Sequence, residues 1–116
     1  MQDLPDFDDI YLLVDRQRDV AISIGKLREQ IRNEESKLVE KLTTDSKFFI
    51  NQKPPSVAMM EKRWLPTGLN GTLGSLRFEL DVNLAEMEHL KNKLDIVKYQ
   101  IDIWRTQQAD KRGATY

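Results

Sequence analysis

Cysteine is absent from this sequence of 116 residues, and glycine, proline and aromatic residues are scarce. Without cysteine the chain has no disulfide framework, no thiolate nucleophile and no cysteine-ligated zinc. The 32% charged and 40% hydrophobic residues are typical of a folded, helical chain rather than a disordered one. We therefore expect a single helical domain over residues 1–116. A chain of this length buries a modest core, which favours self-association.

Long apolar runs and a basic leader are also missing. Residues 1–9 contain four aspartates and no basic residue, unlike a secretory signal peptide. No segment approaches the roughly 18 apolar residues that cross a bilayer. A net charge of -1 argues against a globally basic nucleic-acid binder but leaves room for a local patch. These absences predict a cytoplasmic protein without a membrane partner, placed in the host cytoplasm or the virion if the protein is viral.

A heptad pattern predicts a first helix over about residues 9–43. Its seam runs through Ile10, Leu13, Gln17, Val20, Ile24, Leu27, Ile31, Glu34 and Leu38. Charges of both signs lie between these positions, which is typical of a solvated helix face. Asp8 or Asp9 is suited to cap the start of this helix.

A second helix is predicted over about residues 73–107, followed by a polar tail at 108–116. Its seam runs through Leu73, Leu76, Leu80, Asn83, Met87, Leu90, Leu94, Val97, Ile101 and Trp104. Thr72 or Ser75 is suited to cap its start. The polar seam residues Gln17 and Asn83 either fix the register of helix pairing or sit at exposed edges, and the sequence leaves both interpretations open.

The second helix carries another apolar row about 200° around from its seam. The row contains Phe78, Val82, Ala85, His89, Ile96, Tyr99 and Ile103. One antiparallel neighbour covers only one face of a helix, so this row predicts an oligomer interface. The residues assigned to that interface are Phe78, Val82, Ile96, Tyr99, Ile103 and Trp104.

The connector, residues 44–72, differs from both helices because it contains three prolines and the turn signal Asn70-Gly71. A short helix is predicted at about 56–65, capped by Ser56 and ending before Pro66. The fold class that follows is all-α: a long antiparallel, coiled-coil-like helical hairpin with a short connector helix, which oligomerises into a bundle.

Basic and aromatic residues are interspersed in the connector, and together they form the candidate site for nucleic acid or a protein partner. They are Lys47, Phe48, Phe49, Lys53, Lys62, Arg63 and Trp64. Single-stranded nucleic acid binds to such mixtures through phosphate contacts and base stacking. The alternative is that the connector's aromatic and methionine side chains cap the end of the hairpin while the basic residues face water.

Signs of catalysis or of a cofactor are lacking. The glycine-rich segment 67–75 has neither the Gly-Lys-Ser/Thr ending nor the preceding strand of a phosphate loop. His89 is the sole histidine, and no Cys or tight carboxylate cluster accompanies it in the sequence, so a metal site is not expected. The sequence therefore predicts a protein that is not an enzyme, with no metal, no cofactor and no small-molecule substrate.

The segment from Leu84 to Arg105, LAEMEHLKNKLDIVKYQIDIWR, resembles the C-terminal helix of phage recombination mediators. The elements that carry the likeness are Tyr99-Gln100-Ile101 and Ile103-Trp104-Arg105, within about a fifth of the chain. These mediators load recombinase onto single-stranded DNA, so the resemblance implies a helical, oligomeric, non-enzymatic protein. The first helix has no counterpart of the family's basic strand-binding segment, and no DNA-contact residue is carried over.

Three hypotheses for function follow from these patterns. The first is a non-enzymatic helical oligomerisation or adaptor protein that binds macromolecular partners. The second is a recombination mediator that binds single-stranded nucleic acid. The third is a small viral inhibitor or virion component that binds a host or structural protein.

Overall fold

The computed structural model describes residues 4–114. Its helices are α1 (Phe7–Thr44), α2 (Val57–Arg63) and α3 (Thr72–Ala114), with a 3₁₀ turn at Ser46–Phe48. No β-strand occurs in the described part of the chain, and α1 packs against α3. The predicted all-α helical hairpin is confirmed. None of the helices in residues 4–114 combines the length and apolarity that a membrane span requires.

Both long helices extend beyond the predicted ends. The predicted end of the second helix near residue 107 is wrong, because α3 continues to Ala114 and includes residues 108–114 of the expected tail. Residues 115 and 116 of that tail lie outside the described residues. The chain divides into two compact units, which we call unit 1 (residues 1–22 and 85–116) and unit 2 (residues 23–84).

Local side chains set where the helices begin. The carboxylate of Asp6, rather than that of Asp8 or Asp9, accepts a hydrogen bond from the backbone N–H of Asp8 at 2.9 Å. At the start of α3 the Asn70 side chain accepts from the Thr72 N–H at 3.1 Å. Gly71 precedes this helix at φ 81°, a left-handed conformation that glycine adopts without a steric cost.

Unit 2 contains a closed apolar core. Its buried cluster consists of Ile31, Leu38, Leu42, Met60 and Leu73, contributed by all three helices. The side chains that pack around it are Val39, Phe48, Trp64, Leu65, Leu76 and Leu80. The connector therefore adds both α2 and the 3₁₀ turn to the two long helices as cover for one core.

Unit 1 consists of the first part of α1 packed against the second part of α3. Among its described residues, only Val20 and Leu90 are buried apolar side chains. The other seam residues of this unit are half-buried, and they are Ile10, Leu13, Gln17, Met87, Leu94, Val97, Ile101 and Trp104. Arg16 and Glu86 join the two helices by an ion pair of 2.6 Å.

Candidate functional site

The second apolar row of α3 is exposed in unit 1. Ile96 is 58% exposed and Tyr99 is 67% exposed, while Ile103 is half-buried. On the seam side of the same stretch, Leu94 and Ile101 are half-buried between α1 and α3. The two faces predicted from the spacing therefore have different surroundings in unit 1, because Ile96 and Tyr99 of the second face are left largely uncovered by residues 4–114.

Trp104 lies apart from that row. It lines a groove in unit 1 with Leu4, Phe7, Ile10 and Ile101. Its ring is half-buried, consistent with its seam position. Trp104, assigned to the predicted interface, thus belongs to the α1 side of α3 rather than to the exposed row.

The part of the row in unit 2 is also exposed. Phe78 is 71% exposed and Val82 is 50% exposed. Near them, Arg77 packs inward: its guanidinium forms an ion pair with Glu35 and donates a hydrogen bond to the Leu65 carbonyl at 3.1 Å. Phe78 and Val82 are therefore exposed to solvent, although the adjacent Arg77 packs inward.

The connector residues do not form one continuous set. Phe48 and Trp64 meet edge to face, with ring centroids 6.1 Å apart, and both pack against the unit 2 core. Arg63 lies over the Trp64 ring at 5.0 Å from its centroid. These rings act as packing groups, and one face of Trp64 is already covered by a cation.

The remaining connector candidates lie at the surface. Lys47, Lys53 and Lys62 are exposed, and Phe49 is half-buried. Lys53 ends a tight turn in which Ile50 and Lys53 exchange backbone hydrogen bonds of 2.8 and 3.1 Å. The geometry agrees with the interpretation that the aromatic side chains cap the core while the basic groups face solvent.

A further apolar surface on α1 did not emerge from the sequence patterns. In unit 1, Phe7 and Tyr11 are 65% and 66% exposed, and Val14 is 45% exposed. These three residues are spaced by four and then three positions, so they form a row on one face of the helix beside the seam. That spacing is the sequence pattern from which the row could have been predicted. Leu12, 66% exposed, lies outside this row.

Comparison with known proteins gives no match to any family model, curated protein or solved structure. The resemblance to phage recombination mediators therefore stays a prediction. Among the described residues, no cluster of three or more His, Asp or Glu side chains is placed to hold a metal ion. The exposed apolar rows are therefore the candidate functional site.

Proposed function

We propose that this chain is a non-enzymatic helical adaptor that associates with copies of itself through the second apolar row of α3. The observation that carries the proposal is the exposure of four large apolar side chains of the row: Phe78, Val82, Ile96 and Tyr99. Exposed apolar groups arranged along one helix face are typical of protein interfaces.

The apolar surface of this row favours association. Full burial of one large apolar side chain contributes about 1.5–3 kcal/mol, and these partly exposed side chains gain less than that. Association costs about 4–15 kcal/mol of translational and rotational freedom. Rows from both copies are therefore needed, since a single exposed residue does not offset that cost.

The packing of the connector supports the adaptor over the nucleic-acid binder. Base stacking requires exposed ring faces, and it contributes about 1–3 kcal/mol per base. Phe48 and Trp64 instead pack against the core of unit 2, and Arg63 covers one face of Trp64. The four exposed side chains of the α3 row have no comparable cover from the described residues.

Sedimentation velocity over a micromolar concentration series tests the proposal. The wild-type chain is expected to sediment as a dimer or larger species. Tyr99→Glu places a charge in the row and is expected to weaken association about thirty-fold or more, as at an interface hot spot. Circular dichroism checks that the variant keeps its helix content.

Two control variants locate the interface. Val57→Glu changes a side chain that is 65% exposed on α2, and it is expected to leave the sedimentation unchanged. Tyr11→Glu changes the row on α1, and dissociation by this variant alone would move the interface to α1. A wild-type chain that remains monomeric throughout the series would overturn the proposal.

A further inference from the structure

The second row of α3 is completed by Asn92 into an uninterrupted coiled-coil seam. The spacing alternates four and three through Phe78, Val82, Ala85, His89, Asn92, Ile96, Tyr99 and Ile103. This spacing is the heptad pattern by which one helix pairs with another. The stretch from Ala85 to Ile103 belongs to unit 1, and its charges decide what kind of helix fits there.

One edge of this seam is uniformly acidic. At seven-residue intervals it carries Asp81, Glu88, Asp95 and Asp102, all of them exposed. None of these four carboxylates takes part in an ion pair of the described chain. In heptad terms they occupy the g positions, which lie beside the seam and face the partner helix.

The opposite edge is mixed. Its e positions carry Glu79, Glu86, Lys93, Gln100 and Gln107. Glu86 is already paired with Arg16 of the same unit. Lys93 is exposed and is the cation of this edge. The two edges of the seam thus differ in charge, so the orientation of a second α3 helix changes the electrostatic energy.

An antiparallel second copy brings like charges together. In that orientation g positions face g positions, and each g residue from 81 to 102 is acidic. Sliding the register exchanges one carboxylate for another, so no antiparallel register avoids the repulsion. A parallel copy instead places g against e. There Asp81 faces Glu86, but Glu88 faces Lys93 of the second copy and Asp95 faces Gln100, so one like-charge pair replaces a whole edge of them.

The residues inside the seam are compatible with the same orientation. Its a positions are Val82, His89, Ile96 and Ile103, and three of these are of the β-branched type found at a in parallel two-stranded coiled coils. In the parallel arrangement Asn92 also lies beside its own counterpart, where two side-chain amides can hydrogen-bond to each other.

We propose that a second copy of this chain covers the row, with its α3 parallel to the first and in register. This inference rests on the proposed function, since it specifies the geometry of that self-association. Position 85 of one copy then lies beside position 85 of the other, and Glu88 lies beside Lys93. Both contacts can be tested separately from the existence of an oligomer.

Disulfide trapping tests the alignment, and the cysteine-free sequence makes single-cysteine variants clean probes. Ala85→Cys in the full chain is expected to form a covalent dimer under mild oxidation. In the antiparallel register that matches the whole seam, position 85 faces position 96, so equivalent cysteines lie about 16 Å apart, too far for a disulfide. Ala58→Cys, at an exposed alanine of α2, is the matched control and is expected to remain largely monomeric.

A mixture of Ala85→Cys and Ile96→Cys gives the opposite readout. Heterodimers from this mixture, without homodimers of Ala85→Cys, would overturn the parallel alignment and leave the proposed self-association standing. A chain that is monomeric by sedimentation and forms no more covalent dimer than Ala58→Cys would overturn both proposals. The two failures are therefore distinguishable.

Charge reversal provides a test without cysteine. In the parallel pair, Glu88→Lys faces Lys93 of the second copy and is expected to weaken association about two- to five-fold at low salt. The double variant Glu88→Lys with Lys93→Glu is expected to restore it. In an antiparallel pair Glu88→Lys faces an acidic edge and strengthens association, so tighter binding by the single variant would contradict the proposal.

Discussion

Unit 2 and unit 1 use the same two long helices and bury very different amounts of apolar surface. In unit 2 the cluster around Leu42 is closed by α2 and by the 3₁₀ turn, and Leu42 itself is 0% exposed. In unit 1 the described seam residues are mostly half-buried, with Val20 and Leu90 as the exceptions. Two helices make a seam, but a third element is needed to close a core.

The same difference indicates where a partner is useful. In unit 2 the connector covers the seam side of the two long helices, while Phe78 and Val82 stay exposed. Unit 1 leaves apolar rows exposed on both of its helices, around Tyr11 on α1 and around Tyr99 on α3. In the proposed self-association, a second copy covers unit 1 as the connector covers unit 2. Substitutions in each unit test this contrast.

Leu42→Ala is expected to have the largest effect on stability. Removal of a fully buried leucine side chain costs about 2–5 kcal/mol, since the cavity is only partly refilled. Leu94→Ala changes a half-buried seam residue of unit 1 and is expected to cost about 1 kcal/mol, in proportion to its smaller burial. Urea unfolding followed by circular dichroism measures both. Equal losses in the free energy of unfolding for the two variants would show that the two units are packed equally well.

Trp64→Ala is expected to destabilise unit 2 by about 2–3 kcal/mol, below the value for a fully buried tryptophan. The ring loses its edge-to-face contact with Phe48 and its packing on the core. Arg63→Ala removes only the cation over the ring and is expected to cost about 0.5–1 kcal/mol. The thermal unfolding midpoint reports both changes. A Trp64→Ala chain as stable as wild type would show that the connector does not close the core.

Arg16→Gln is expected to have the smallest effect. The Arg16–Glu86 pair of unit 1 is largely in solvent, with 55% of the arginine side chain exposed. Such pairs contribute about 0.2–1 kcal/mol and are screened by salt. The loss in free energy of unfolding, measured at low and at high salt, should therefore become smaller as the salt concentration rises. Lys37→Gln, in an exposed pair within α1, is the matched control, and a larger, salt-independent loss for Arg16→Gln would contradict this assignment.

Heptad spacing predicted the helices and their inward faces well. Every seam position named from the spacing, from Ile10 to Leu38 and from Leu73 to Trp104, is buried or half-buried. Periodicity succeeds here because it depends on neighbours three and four residues away on the same helix. The Ser56 side chain also caps α2 as predicted, accepting from the Met59 N–H at 3.2 Å.

Helix ends and the connector were less predictable. No proline or strong stop signal follows residue 107, so the polar composition of 108–114 did not end α3. The local sequence left open whether Lys47, Phe48 and Phe49 continue helix 1 or extend, and Asp45 instead caps a 3₁₀ turn by accepting from the Lys47 N–H. That outcome depends on the docking of Phe48 against Trp64, which are 16 residues apart in the printed sequence.

Residue spacing alone specifies two long helices, the faces they turn toward each other, and an additional apolar row on α3. These properties are local, because they follow from the helical repeat and from residue types within a few turns. The closing of a core by the connector in unit 2, and the half-buried state of the seam in unit 1, follow only from the folded structure. Burial depends on contacts between residues far apart in the chain, and periodicity does not give the extent to which each seam residue is covered.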